Sequence, residues 1–257
     1  MNFTELKDFL DEKVRLYNQL NFIESDPIQI PHRFQLKEDI EISAFFSATF
    51  AWGNRKMIIN KLNDLMNRMG NSPFDFVMNY SDEEFEKIES FKHRTLNSMD
   101  LDFYLKSLRN IYEQHNGLED AFQFKKEETD SFHAIERFRK LFLEIPHEIR
   151  SEKHLSSPAK NSAAKRLNMF LRWMVRFDNQ GVDFGIWNSV SASQLVCPLD
   201  VHSGSVARKL GILNRKQNDW KAASELNLNL KKFDSEDPVK YDFALFGLGV
   251  FDGFSKL

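Results

Sequence analysis

A chain of 257 residues with 35 Lys/Arg, 38 Asp/Glu and one cysteine is long enough for one large domain or two compact lobes. The lone Cys197 excludes an internal disulfide framework, zinc knuckle or four-cysteine iron–sulfur cluster. The net charge of −3 excludes attraction of nucleic acid by total charge, so any such partner needs a local basic patch.

Phe3, Leu6, Leu10, Val14 and Tyr17 recur at helical spacing and predict an N-terminal helix. Residues 20–35 hold Pro27 and Pro31 and no period, which predicts an ordered loop. Ile40 to Trp52 is almost all apolar or small, the pattern of a helix buried on most sides. Gly53-Asn54 breaks it, and Met57, Ile58, Leu62, Leu65 and Met69 predict the next helix. Ser81-Asp82-Glu83-Glu84 reads as a capping box for a short acidic helix. Further helices are expected over Leu101–Ile111 and about Asp130–Glu144, followed by a polar, proline-punctuated stretch over 146–161.

From Ser162, an apolar stripe at Leu167, Phe170, Leu171, Met174 and Phe177 predicts a helix to 177. Residues 178–199 read as a connection with short helical turns. Helical pattern resumes near His202, near Gln217 and at Asp237-Pro238, an N-cap with proline at the first helical position. No run alternates long enough for a sheet and no repeat of 20–50 residues occurs, so the expected class is all-α. The expected division is a central lobe over 36–177 and a second lobe from 1–35 plus 178–257. No uncharged run reaches the roughly 18 residues of a membrane span and no basic-then-apolar leader opens the chain, so a cytoplasmic protein without a membrane partner is expected.

The chemistry-bearing feature is Lys153–Phe177, which holds six Lys/Arg and no acid. Lys165, Arg172 and Arg176 fall on one face of the predicted helix, with Arg166 and Trp173 beside them. That face is either a solvated basic surface or a set of phosphate contacts. Lys165 lies in the first turn, where the helix dipole disfavours added positive charge, a setting that suits an amine nucleophile. The same helix start has small Ser162, Ala163 and Ala164, which let backbone N–H groups approach a phosphate. Asp200 precedes the His202 helix after the apolar Cys197-Pro198-Leu199. It is either an ordinary N-cap or a carboxylate aimed into a cleft to stabilise a sugar cation, activate water or orient an amine. His202 is a candidate proton shuttle, and Arg208, Lys209, Arg215 and Lys216 add a second basic cluster. His147-Glu148 lacks the second histidine of a zinc-protease motif, no nucleotide-binding glycine motif occurs, and neither metal nor cofactor is expected.

The segments K-R-L-N-M-F-L-R-W-M-V-R, P-L-D-V-H and D-P-V-K-Y-D-F-A-L-F-G-L-G resemble, over nearly the whole chain, an uncharacterised bacterial family defined as a domain of unknown function. More distantly, the chain resembles the helix-hairpin-helix DNA glycosylases, which include endonuclease III and the archaeal 8-oxoguanine glycosylases. Phe46–Leu62 is similar to that superfamily's early helix-turn-helix, Ser162–Met174 to its second hairpin helix, and Leu199–His202 to its V-D-T-H segment. The resemblance implies a two-lobed helical fold, a Schiff-base lysine at Lys165 and a catalytic aspartate at Asp200. It further implies damaged duplex DNA as partner, with Asn161, Ser162, Arg166, Arg172, Arg176, His202 and Arg208 as nucleic-acid contacts. Thr49, Trp52 and Trp173 are the candidates for base pocket or insertion. The chain departs from the pattern at Asn161-Ser162-Ala163, where the hairpin has G-x-G, and at Thr49, where an inserting Gln is common. The alternatives are a non-catalytic nucleic-acid-binding module on the same fold, or a protein-interaction domain with a basic docking helix.

Overall fold

The computed structural model describes residues 1–254, which are mostly helical and contain no strand. The all-α expectation holds. Thirteen α-helices occur among the described residues: α1 (Phe3–Tyr17), α2 (Leu20–Glu24), α3 (Lys37–Phe50), α4 (Arg55–Arg68), α5 (Pro73–Asn79), α6 (Asp82–Glu89) and α7 (Ser98–Gln114), then α8 (Leu118–Ala121), α9 (Phe132–Phe142), α10 (Lys165–Val175), α11 (Val201–Lys209), α12 (Trp220–Phe233) and α13 (Tyr241–Val250). No helix among them is long and apolar enough to cross a membrane.

The chain divides into two units. One contains Met1–Phe22, Phe124–His133 and the chain from Ser157; the other contains Ile23–Gln123 and Ala134–Ser156. These bounds differ from the expected 36–177 lobe, because α10 belongs with the termini. Its Arg172 bonds to Asp183 and Asp242, and its Phe170 meets Trp187 edge-on at 5.4 Å. All three partners lie in the terminal unit.

In the terminal unit, α13 packs against α1 and α11. Two glycines permit it. A Cβ at Gly247 would fall 2.1 Å from the Tyr17 ring, and one at Gly249 would fall 3.1 Å from His202 Cβ. Asp237 caps the turn Pro238–Lys240 that leads into α13, as its Asp-Pro signature predicts.

In the other unit α3 is buried from Ile40 to Phe50. Its Phe45 lies 5.6 Å from Phe138 and 5.5 Å from Phe142. Each such ring, fully buried, contributes roughly 1.5–3 kcal/mol through area removed from water. Asn54 caps α4, and Ser81 with Glu84 forms the predicted capping box of α6. The expected loop over 20–35 instead contains α2 and two 3-10 turns, Pro27–Gln29 and Pro31–Arg33. Asp26 caps the first of these by accepting from Ile28 N. Helix α5 escapes the periodicity because it is only seven residues long; its Phe74 N–H is capped from α3 by Asp39, at 2.8 Å.

Candidate functional site

Lys165 is the first residue of α10, three residues later than the predicted start. The preceding loop folds on itself: Asn161 N–H donates to Pro158 O at 2.8 Å and Ser162 N–H to Ser157 O at 3.0 Å. Asn161 takes the left-handed conformation, φ 61°, and Ala164 takes it again, φ 47°. Asparagine tolerates this; for alanine it costs roughly 1–2 kcal/mol. Three hydrogen bonds hold Ala164 there. Its N–H donates to Ser162 Oγ at 3.2 Å, its carbonyl accepts from Asn168 N at 2.9 Å, and Asn168 Nδ2 donates to Ala163 O at 3.1 Å. The N-cap residue of α10, Ala164, supplies no side-chain cap.

Asp200 is the N-cap of α11, reached through the buried segment Leu195–Leu199. Its Oδ1 accepts from His202 N at 2.8 Å and Ser203 N at 3.0 Å. Asp200 N donates to Ser203 Oγ at 2.9 Å, and Asn218 Nδ2 donates to Asp200 O at 2.9 Å. Capping therefore occupies one carboxylate oxygen. The other, Oδ2, stands 3.9 Å from Lys165 Nζ, with both side chains 26% exposed. An amine and a carboxylate from two helix starts thus meet at a solvent-accessible point.

Beneath lie buried charges. Asp242, on α13, accepts from Arg172 Nη1. Burial pushes its carboxyl up to about 6; the positive Arg172 and Lys165 oppose that shift and the negative Asp200 adds to it. Arg172 Nε also reaches Asp183 at 3.2 Å. Arg176, just past α10, bonds to Asp178 at 2.6 Å, Asp183 at 3.0 Å and Asp237 at 2.9 Å. The expectation that Arg172 and Arg176 face phosphates is corrected: both are 3% exposed and engaged by interior acids. Trp173 is likewise corrected, because its indole is fully buried and cannot line an open base pocket. Cys197 is buried, and burial pushes its thiol well up, away from the reactive thiolate.

The remaining candidates divide. Asn161 and Ser162 are tied to the cap of α12: Asn161 Nδ2 donates to Asp219 Oδ2 at 3.1 Å, and Ser162 forms an isolated bridge with Asp219. Arg208, half-exposed, braces the following loop through Arg215 O at 2.8 Å and Asn218 Oδ1 at 2.6 Å. Arg166 is half-buried and His202 exposed beside Asp200. Thr49 and Trp52 belong to the other unit, where Thr49 is buried in α3 and Trp52 half-buried beyond it. Sequence reasoning missed Asp183, Asp219 and Asp242. Asp219, before the Trp220 helix, carried an N-cap signal; the other two carried none, since their arginine partner Arg172 lies 11 and 70 residues away.

A family model described as a protein of unknown function, DUF2400, matches residues 26–251. No curated protein and no solved structure matches the chain at a significant level. By that match across most of its length, the chain belongs to the DUF2400 family of proteins of unknown function.

Proposed function

We propose that this chain acts on DNA as a base-excising glycosylase with lyase activity, using Lys165 as nucleophile and Asp200 as its acid–base partner. The observation that carries the reading is the 3.9 Å approach of Lys165 Nζ to Asp200 Oδ2 at an accessible point. The helix-hairpin-helix resemblance of these two segments supports it.

In this reading a nucleotide leaves the duplex stack and presents C1′ to Lys165. Asp200 takes the ammonium proton, and the neutral amine attacks C1′. The C1′–N bond breaks, and its electron pair leaves with the base, which takes its proton from the protonated Asp200. The bond from C1′ to O4′ then breaks as one of the two protons on the attached amine moves to O4′, leaving a protonated Schiff base between Lys165 and C1′. Removal of a C2′ proton then expels the 3′ phosphate, and water hydrolyses the imine to regenerate the amine. Once it has protonated the base, Asp200 is ionised again and stabilises the positive charge of the Schiff base.

A panel of duplexes, each with one damaged base, tests the reading by chromatography of released bases. Release of one base type by the wild type and its absence with Lys165→Ala is the expected result. No release from any duplex removes the glycosylase reading. A second reading, a non-catalytic nucleic-acid module, is favoured by the structural use of Asp200, whose Oδ1 caps α11 by accepting from His202 N and Ser203 N. It predicts salt-sensitive binding with no base release.

A further inference from the structure

Three segments of the terminal unit, residues 124–129, 189–194 and 231–235, line an open pocket of about 580 Å³. Hydrogen bonds tie these walls together. Gln194 Nε2 donates to Glu128 O at 2.9 Å and to Lys125 O at 3.4 Å. Lys231 Nζ, on α12, donates to Thr129 O at 2.8 Å. Within the walls, Ser191 caps the 3-10 turn Ala192–Gln194, and Glu128 Oε2 accepts from Lys125 N at 3.1 Å. None of the lining residues belongs to the Lys165–Asp200 pair.

The lining sets Lys125, Lys126 and Lys231 against one carboxylate, Glu128. Acids close by in sequence are committed elsewhere. Asp130 Oδ1 accepts from Phe132 N at 2.9 Å. Asp234 accepts from Lys240 Nζ at 2.5 Å, and from Glu236 N and Asp237 N at 3.0 Å each. Glu127 is exposed and lies outside the lining. Lys231 is the focal group. It is half-buried, and burial lowers the pKa of its ammonium against the opposing charge of Asp130. An ammonium has three N–H donors, of which Thr129 O takes one. Among the described residues no carboxylate is bonded to it. A half-buried cation held by a carbonyl alone is stabilised by any anion that enters beside it.

We propose that this pocket binds a small-molecule phosphate monoester, with Lys231, Lys125 and Lys126 on the phosphate oxygens and Phe124 beside the organic group. Three lysines against one carboxylate match the roughly −1.5 to −2 charge of a phosphate monoester better than the single charge of a carboxylate. Lysine ammoniums are point charges that suit a tetrahedral phosphate. Planar carboxylates are matched by the arginine fork, and the lining residues include no arginine. Ser189 and Ser193 add hydroxyl groups to the same walls. A bare phosphate fills only part of the volume, which lies in the range of small-molecule sites, so the ligand is an ester. A 5′-phosphorylated strand end carries the same group and is the other source to separate. The inference holds or fails independently of the chemistry at Lys165.

The test is isothermal titration calorimetry of the full chain with inorganic phosphate, adenosine monophosphate and adenosine. A short oligonucleotide bearing either a 5′-phosphate or a 5′-hydroxyl completes the set. The expected result is that adenosine monophosphate binds more tightly than inorganic phosphate, and that adenosine does not bind. Lys231→Gln keeps an amide donor for Thr129 O and removes the charge. It should weaken adenosine monophosphate about tenfold or more at an unchanged thermal melt. Phe124→Ala should weaken adenosine monophosphate and leave inorganic phosphate as in the parent. Binding of neither phosphate overturns the proposal, as does equal affinity in Lys231→Gln and its parent. Adenosine bound as tightly as its monophosphate overturns it too, because the phosphate is then not what is recognised. Inorganic phosphate bound as tightly as the ester removes the organic group from the site. Tighter binding of the phosphorylated strand than of adenosine monophosphate, lost in Lys231→Gln, assigns the pocket to strand ends and overturns the small-molecule assignment. Base release plays no part in any of these readouts, so they leave the Lys165 reading to its own test.

Discussion

Asn161 Nδ2 donates to Asp219 Oδ2 at 3.1 Å, which pins the loop before α10 to the start of α12. The same carboxylate caps α12 through Ala222 N at 3.0 Å and takes Arg215 Nε at 2.7 Å. Those bonds, Arg215 first, hold its carboxyl far below the usual carboxylate range. Asp219→Ala removes the cap, the arginine partner and the loop tie together. The expected loss is about 1–2 kcal/mol of unfolding free energy, read as a lower urea midpoint. An unchanged midpoint would show that the loop is held by other means.

Arg172 and Arg176 offer a sharper separation of roles. Arg176→Ala leaves Asp183 with fewer partners in the interior and should cost about 3–5 kcal/mol. Because neither arginine reaches solvent, Arg176→Gln protein that still folds should keep the parent's salt slope for DNA. A slope lowered by about 1 would restore the phosphate role that the burial removes.

Asp242 gives a pH signature. Its folded carboxyl is raised from 3.8 to about 6, chiefly by burial. Between those values the folded protein keeps a proton that the unfolded chain has released, so this group's contribution to stability falls as pH rises. Asp242→Asn lacks that term. The stability gap between wild type and variant should therefore narrow, in the variant's favour, by about 2–3 kcal/mol from pH 4 to pH 7. A gap that widens with pH would mean that the Arg172 pairing keeps Asp242 ionised throughout.

Asp200 can be divided into cap and carboxylate. Asn caps helices about as well as Asp, so Asp200→Asn should leave stability within about 0.5 kcal/mol while removing the charge beside Lys165. Asp200→Ala should lose about 1 kcal/mol in addition. If only the Ala variant loses base release, Asp200 serves α11 and not the chemistry.

Local signals carried most of the fold into the sequence. The period of α1, the capping box before α6 and Asp237-Pro238 before α13 are decided within one or two turns of chain, and the structure reproduces them. Short elements such as α5 were illegible, because seven residues hold no period and the Asp39 cap comes from 35 residues away. The same distance effect hid the nature of α10. Its arginine face reads as solvated because the neutralising acids, Asp178, Asp183, Asp237 and Asp242, all stand outside the helix. Lys165 and Asp200 were legible as helix-start residues, but their 3.9 Å approach depends on packing that no local pattern encodes.

The assignment of Lys165 as the nucleophile is open to direct measurement by borohydride trapping on an abasic duplex, with mass mapping of the modified peptide. The expected result is a reduced covalent adduct on Lys165, absent with Lys165→Ala and strongly weakened with Asp200→Asn. No adduct, or an adduct that persists in Lys165→Ala, would contradict it.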